Sequence, residues 1–382
     1  MKIASFGHSG SHTSQLMHSS VMIKAISWII GFAWRLHGSR PASLVHNEGN
    51  ALQQSSLHRT AQINLSMGLF LLKRLATLVA TLIGASIVVF LVLEILPGDA
   101  ALIMMGPDAA PEAVRALAAK LGLDRPPLER YFAWIGGMLT GDLGLSYTYS
   151  SPVSELILER LAVTVPLALM AMALTTLLAL CVGIYAASHH NKLGDVGLMG
   201  LTQVGIAIPN FWFAILLILL FSVHLQWFSA GGFEGWGEGV FEGFKSLLLP
   251  ALSLAVVQAA ILARITRSAV LEVFREDFVR TARAKGLSKR ATVWGHVLRN
   301  AMIPVITVMG LQFAELLAGT IVVENVFYLP GLGRLIFQSI SNRDLIVVRN
   351  CVMLLATMVV VVNFIVDLLY AVIDPRVKAS DI

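Results

Sequence analysis

The sequence predicts an all-α, polytopic membrane protein with about six transmembrane helices, and three observations predict it. Apolar residues make up 56% of the 382-residue chain and charged residues only 13%, where a soluble domain carries about 25% charged residues. Six apolar segments are each long enough to cross a bilayer. The basic residues gather in the connections between those segments, which suits membrane orientation and anionic headgroups better than nucleic acid, despite a net charge of +5.

Crossing about 30 Å of hydrocarbon at about 1.5 Å per residue takes about 20 apolar residues. Segments 75–96, 161–187, 196–227, 247–263, 301–323 and 351–373 qualify. Helix is the expected form, because a span in lipid must satisfy its own backbone hydrogen bonds. Pro166, Pro209, Pro250 and Pro304 fall within these segments. Each lacks an amide donor, so each predicts a kink or a first-turn position. Cys181 and Cys351 lie in apolar stretches, so buried free thiols are expected rather than a disulfide or a metal site.

Residues 1–66 differ, being rich in Ser, His and Gln without a repeat. Within them, 21–36 is apolar but short and interrupted by Lys24 and Arg35, so it reads as a seventh span or an interfacial helix. No clean cleavage site follows to favour a signal peptide. Met67 opens a stretch that reads as a natural start. The expectation is a poorly defined, dispensable extension or start-site artefact at 1–66, and a transmembrane domain at 67–382.

Lys and Arg placement orients the spans. Lys73 and Arg74 precede the first, the 264–300 connection holds nine basic residues against Glu272, Glu276 and Asp277, and Arg376 and Lys378 follow the last. With six spans these regions share one side, expected to be the cytoplasm, with both termini inside. The opposite side has an acidic balance: four basic and seven acidic residues in 97–155, one lysine and three glutamates in 227–246.

The basic connection has further pattern. Residues 272–285 are good helix formers, Gly286 is placed to stop a helix in positive φ, and a second short helix is expected over 289–300. The result is a helix–glycine–helix element on the cytoplasmic face, set against the plain alternative of an ordinary positive-inside loop. Its Ala282-Arg283-Ala284-Lys285-Gly286 core, followed by His296 and Pro304, resembles the EAA loop of inner-membrane permease subunits in binding-protein-dependent ABC importers. Thr281-Ala282-Arg283 stands where the Glu-Ala-Ala triplet would be, a variant usual in the dipeptide/oligopeptide branch. Other strings similar to that branch run through most of 67–382. They include Leu96-Pro97-Gly98-Asp99, Leu121-Gly122-Leu123-Asp124-Arg125-Pro126, Gly141-Asp142-Leu143-Gly144-Leu145-Ser146 and Thr266-Arg267-Ser268. Glu324-Asn325-Val326-Phe327 with Pro330-Gly331-Leu332-Gly333, Arg343-Asp344 and Asp374-Pro375-Arg376 complete the series.

The resemblance implies a type I ABC importer permease fold in a bacterial-type inner (plasma) membrane. The implied partners are a second homologous permease subunit, two cytoplasmic ATPase subunits and a periplasmic or extracellular solute-binding protein. Arg280, Thr281, Ala282, Arg283, Ala284, Lys285, Gly286, Leu287 and Ser288 are then expected to contact an ATPase. Peptides are the implied cargo, with nickel, glutathione, opines and oligosaccharides as alternatives within the family. ATP would be bound by the partners: this chain has no phosphate loop, since 239–246 has the wrong spacing. It also lacks a metal motif or a nucleophile motif, so no enzyme activity or cofactor of its own is expected. A rival class, the ion-gradient-driven secondary transporter, would need paired intramembrane acids or broken inverted repeats, and only Glu315 stands mid-membrane.

Polar residues inside the spans are the path-lining candidates: Gln203, Pro209, Asn210, Gln312, Glu315 and Asn363, with Asp367 nearer the membrane edge. A charge at mid-bilayer costs at least about 2.5–3.5 kcal/mol, so it faces protein or water. Glu315 reads either as a helix–helix hydrogen-bonding or protonated carboxyl, or as a path-lining partner for a peptide ammonium. Outside, 97–155 is expected to fold as a small helical cap with one helix at 128–139. The 330–333 string suggests a turn in a second outer loop.

Overall fold

The computed structural model describes residues 56–95, 100–106, 109–120 and 122–373, and their regular structure is helical, joined by turns and irregular segments, apart from one isolated bridge between Leu145 and Pro152. Expectations for residues 1–55, including the 21–36 segment, and for motif residues 96–99, 121 and 374–376 lie outside the described residues. Helix α1 (Ser56–Ile95) begins upstream of Met67. Three short helices follow, α2 (Ala100–Met105), α3 (Pro111–Lys120) and α4 (Pro127–Thr140), and α4 is the helix expected within the cap. Next come α5 (Val153–Ser188), α6 (Leu193–Ala207), α7 (Asn210–Leu217, continued by a π-helical turn over Ile218–His224) and α8 (Val240–Val273). The chain closes with α9 (Asp277–Ala284), α10 (Lys289–Thr292), α11 (Leu298–Val326), α12 (Leu332–Ser341) and α13 (Leu345–Ile373).

Among the described residues, five helical stretches are long and apolar enough to cross a membrane, Leu71–Glu94, Val153–Ser188, Val240–Val273, Lys289–Val326 and Leu345–Leu369. The span expected at 196–227, kinked at Pro209, is divided there into two helices. Helices α6 and α7 meet at 103°. Proline at 209 removes an amide and bars α geometry for the residue before it, and Ile208 is accordingly extended at φ −86°, ψ 124°. Pro166, Pro250 and Pro304 sit inside α5, α8 and α11 without ending them. A second correction concerns Cys181, which is exposed on α5, whereas Cys351 is buried as expected.

Small residues decide how the helices meet. On α5, Ala171, Thr175, Ala179, Gly183 and Ala187 recur every fourth position and are all buried. They face α8, which buries Ala251, Ala255, Ala259, Ala263 and Thr266, and the two helices form the most extensive pair in the fold. Such a seam lets backbones approach closely in lipid, where no hydrophobic force drives helices together. At Gly183 the approach is closest: a Cβ there would lie 2.7 Å from Thr266 Cβ and 2.8 Å from the Ala263 carbonyl oxygen.

Helix α1 packs on α13 at the periphery, and the Arg74 guanidinium donates to Asp367 Oδ2 at 2.7 Å where their ends meet. Asp367 is thereby tied into a helix pair. The opposite face of α1 exposes Leu75, Val79, Ile83, Ile87 and Leu91, again every fourth residue. An unbroken apolar stripe of this kind is a lipid-facing surface.

Replacing Gly183 by Ala is expected to lower the stability of the folded protein by about 1–3 kcal/mol, since the backbone carbonyl opposite cannot retreat. Gly197→Ala, where no atom lies within 4 Å of the new methyl, serves as the control and is expected to be neutral or mildly stabilising. Thermal denaturation of the purified proteins measures both.

Candidate functional site

Two regions gather the residues singled out above. The first is the loop between α8 and α11. The expected single helix over 272–285 is interrupted, because α8 ends at Val273 and α9 starts at Asp277 after a turn. The second helix is not separate either: α10 runs through a π-helical turn (Val293–Val297) directly into α11. Gly286 does hold positive φ, at +90°. Around it, Leu287 N–H donates to the Ala282 carbonyl at 3.3 Å and Gly286 N–H to the Arg283 carbonyl at 3.0 Å. This pair of bonds is the Schellman closure of a helix C-terminus.

Ser288 then caps α10, its Oγ accepting from Ala291 N–H at 3.2 Å. Lys289 Nζ donates to the carbonyl of Ser188 at the end of α5. Val279 is buried in a cluster with Ala187 of α5, Val270 of α8, and Val293 and Val297 ahead of α11, and Ala282 on the same short helix is buried too. Phe278, Leu287 and Trp294 remain exposed beside Arg280, Arg283 and Lys285. The loop is thus capped at its turn, anchored underneath and apolar-basic on its outer surface.

The second region lies within the spans. Gln258 of α8 donates from Nε2 to Glu315 Oε2 at 3.1 Å, and Gln312 Nε2 donates to the Gln258 carbonyl at 3.0 Å. Asn210, the first residue of α7, comes near α11 at Gly319, one turn beyond Glu315. Gln258 and Gln312 are buried, yet the side-chain oxygens Oε1 of both and Oδ1 of Asn210 have no hydrogen-bond donor among the described residues. Glu315 itself is exposed on this chain. Facing lipid would be costly for it, so this face of α11 meets water or another polypeptide.

Of the other candidates, Pro209 makes the break that positions Asn210. Gln203 is exposed on α6 and accepts from Arg264 Nη1 at 3.2 Å, away from the cluster. Asn363 is buried on α13, and its Oδ1 likewise has no hydrogen-bond donor among the described residues.

Four polar constructions escaped the sequence reading. Gln258 is a lone amide in an apolar run, and that isolation was the available signal. Asp195, only 2% exposed at its side chain, receives both Nε (2.6 Å) and Nη2 (2.7 Å) of Arg267, plus Asn191 N–H. This fork clamps α8 to the start of α6 beside the loop. At the other end, Glu324 accepts from Thr164 Oγ (2.6 Å) and from the Gly333 and Arg334 amides at the start of α12. That explains the spacing between Glu324 and the 330–333 turn, since a carboxylate satisfies a helix's first amides. Asp344 likewise accepts from Ser146 Oγ, Thr148 N–H and Val347 N–H, joining two of the quoted strings. Nearby Tyr147 has its pKa raised by burial and by the Asp344 charge, so its phenol stays protonated.

A family profile described as "Binding-protein-dependent transport system inner membrane component" matches residues 179–379, and a profile for the N-terminal part of such components matches 67–168. A protein of Brucella abortus (strain 2308), provisionally named a peptide transport system permease protein, is 42% identical over 312 residues, 82% of this chain and 99% of the relative. The dipeptide transport system permease protein DppB of Escherichia coli (strain K12) is 38% identical over 333 residues, covering 81% of this chain and 98% of DppB. Among solved structures, the inward-facing MetNI methionine ABC transporter aligns with a TM-score of 0.47 at 16% identity, over 57% of this chain and 96% of that one.

Removing either half of the Asp195–Arg267 fork leaves a partly buried charge unpaired, at a cost of about 1.5–3 kcal/mol. Asp195→Ala and Arg267→Ala are therefore each expected to lower the thermal midpoint. The double variant is expected to lose less than the sum, and a double-mutant cycle reads the coupling.

Proposed function

The chain belongs to the family of binding-protein-dependent transport system inner membrane components, and from that premise we propose that it forms one half of a translocation path for di- or oligopeptides. As a multi-pass permease subunit of an ABC importer it works with separate ATPase subunits and a solute-binding protein. A second permease subunit completes the path, and both termini and the 277–288 loop lie in the cytoplasm. The cargo assignment is supported by the two relatives, whose names refer to peptide and dipeptide transport.

One observation carries the mechanical part of the reading. The loop that would meet the ATPase is rigid, and it is rooted in the same two helices that hold the polar cluster. Val279 packs in one cluster with Ala269 and Val270 of α8 and with Val293, Val297 and Leu298 at the start of α11, so a push on the loop's exposed face moves α8 and α11 together. Gln258 lies 15 residues before the end of α8, about 22 Å along a helix. Nucleotide-driven closure of the motor would in this way displace Gln258, Gln312 and Glu315 as a body, as alternating access requires. The unsatisfied amide oxygens and the Glu315 carboxylate are acceptors suited to a passing peptide's ammonium and amide N–H groups.

Gly286→Val puts a branched residue into left-handed backbone at a cost of about 1–2 kcal/mol. In the reconstituted importer it is expected to leave binding-protein-stimulated ATP hydrolysis within about twofold while peptide uptake falls at least tenfold. Gly286→Asn, which tolerates that φ, is expected to keep uptake. Full transport by Gly286→Val would end this account of the loop.

Glu315→Gln is expected to assemble normally but to lose uptake of peptides with a free amino terminus. Unchanged uptake would remove Glu315 from the path.

A further inference from the structure

At the end of the molecule opposite the 277–288 loop lies an open cavity of about 390 Å³, lined by the end of α1, helices α3 and α4, the 142–147 segment and the start of α13. That volume falls within the size range of small-ligand sites, about 300–1,000 Å³. Four arginines line it, Arg125, Arg130, Arg343 and Arg349, against three carboxylates. The carboxylates are already engaged. Glu94 takes Arg130, Asp142 takes Gly144 N–H, and Asp344 is saturated by Ser146, Thr148 and Val347.

Arg343 and Arg349 have no carboxylate partner among the described residues. The Nε atoms of both Arg130 and Arg349 are buried and find no acceptor there. The Arg349 guanidinium instead lies 5.6 Å over the Trp134 ring, whose own N–H is committed to Asn350 Oδ1 at 2.9 Å. Burying a cation and its donors without an anion is costly. The cavity therefore has positive charge and donors that the described residues leave unmet.

We propose that this cavity binds a phosphate group, presented by the headgroup of an anionic phospholipid in the leaflet facing away from the loop. Guanidinium forks bind phosphate oxygens in a bidentate manner, the contact that Arg349 lacks altogether and that Arg130, tied to Glu94 through Nη2 alone, makes only in part. The position favours a lipid as carrier. Glu94 lines the cavity, and one turn below it begins the exposed stripe of Leu91, Ile87 and Ile83. Acyl chains lying along that stripe place their phosphate at the depth of the arginines.

The test uses the complete importer complex, purified, delipidated and titrated with phosphatidylglycerol, with phosphatidylcholine and with inorganic phosphate, read by native mass spectrometry and thermal midpoint. Saturable binding of phosphatidylglycerol, at least tenfold tighter than phosphatidylcholine and at least tenfold weaker in Arg349→Gln, is expected. Ala133→Trp fills the same cavity while keeping every arginine. It is expected to weaken binding equally, and it decides the matter if Arg349→Gln does not fold. Stabilisation by inorganic phosphate alone, lost in both variants, would retain the phosphate site and overturn the lipid as its carrier. Phosphatidylglycerol binding unchanged in the folded variants, or absent from the wild type together with any response to phosphate, would overturn the site altogether.

Discussion

The close approach of α5 and α8 is the constraint on which the rest of the molecule depends. Lipid offers no hydrophobic reward for helix association, so the pair is held by the contact that small side chains permit. The seam from Ala171 to Ala187 sets where α8 stands. Helix α8 in turn carries Arg267 to Asp195, Gln258 to Glu315 and its own C-terminus to the anchored loop. A shift of α8 by even a fraction of a turn would disconnect all three. The geometry of the gate is thus written in residues that have no polar chemistry.

Polar groups in the apolar spans divide by whether their partners are present. Glu324, Asp195 and Asp344 have full sets of donors, and each ties two or three elements together at a membrane edge. Such groups build the frame. Gln258, Gln312 and Asn210 keep unmet oxygens in the middle of the bundle, and Glu315 opens to the outside of the chain. A buried acceptor without a donor costs free energy, and the cost is recovered where a passing solute or a neighbouring subunit supplies the donor. The two classes differ in whether this chain supplies their partners, a distinction that hydropathy does not draw.

Much of this was legible in the sequence, for identifiable reasons. Span number and the α4 helix follow from apolar run length, and the positive φ at Gly286 follows from its position after a helix-forming run. Proline at 209 signalled a kink, but the 103° angle depends on what α7 packs against after the break, which local sequence does not encode. The interruption at 274–276 was hidden because every residue there tolerates helix. The contact partners of Asp195, Glu324 and Asp344 lie 72, 160 and 198 residues away at their farthest. No local pattern announces such pairs, although the strings containing them stood out as units. Polarity alone brings forward Asn210, Gln312 and Glu315, which the fold gathers beside Gln258, together with Gln203 and Asn363, and a single amide in an apolar run such as Gln258 carries no pattern beyond its isolation that would mark it.

The central claim is that this polypeptide is a passive gate, moved through its 277–288 loop by a motor on another chain. Uptake of a labelled dipeptide into liposomes, with the permease subunits reconstituted with or without the ATPase subunits, tests that claim most directly. The account predicts uptake only when the ATPase subunits, ATP and the binding protein are all present. Equal uptake by the permease subunits alone, driven by an ion gradient or by the peptide's own gradient, would contradict it.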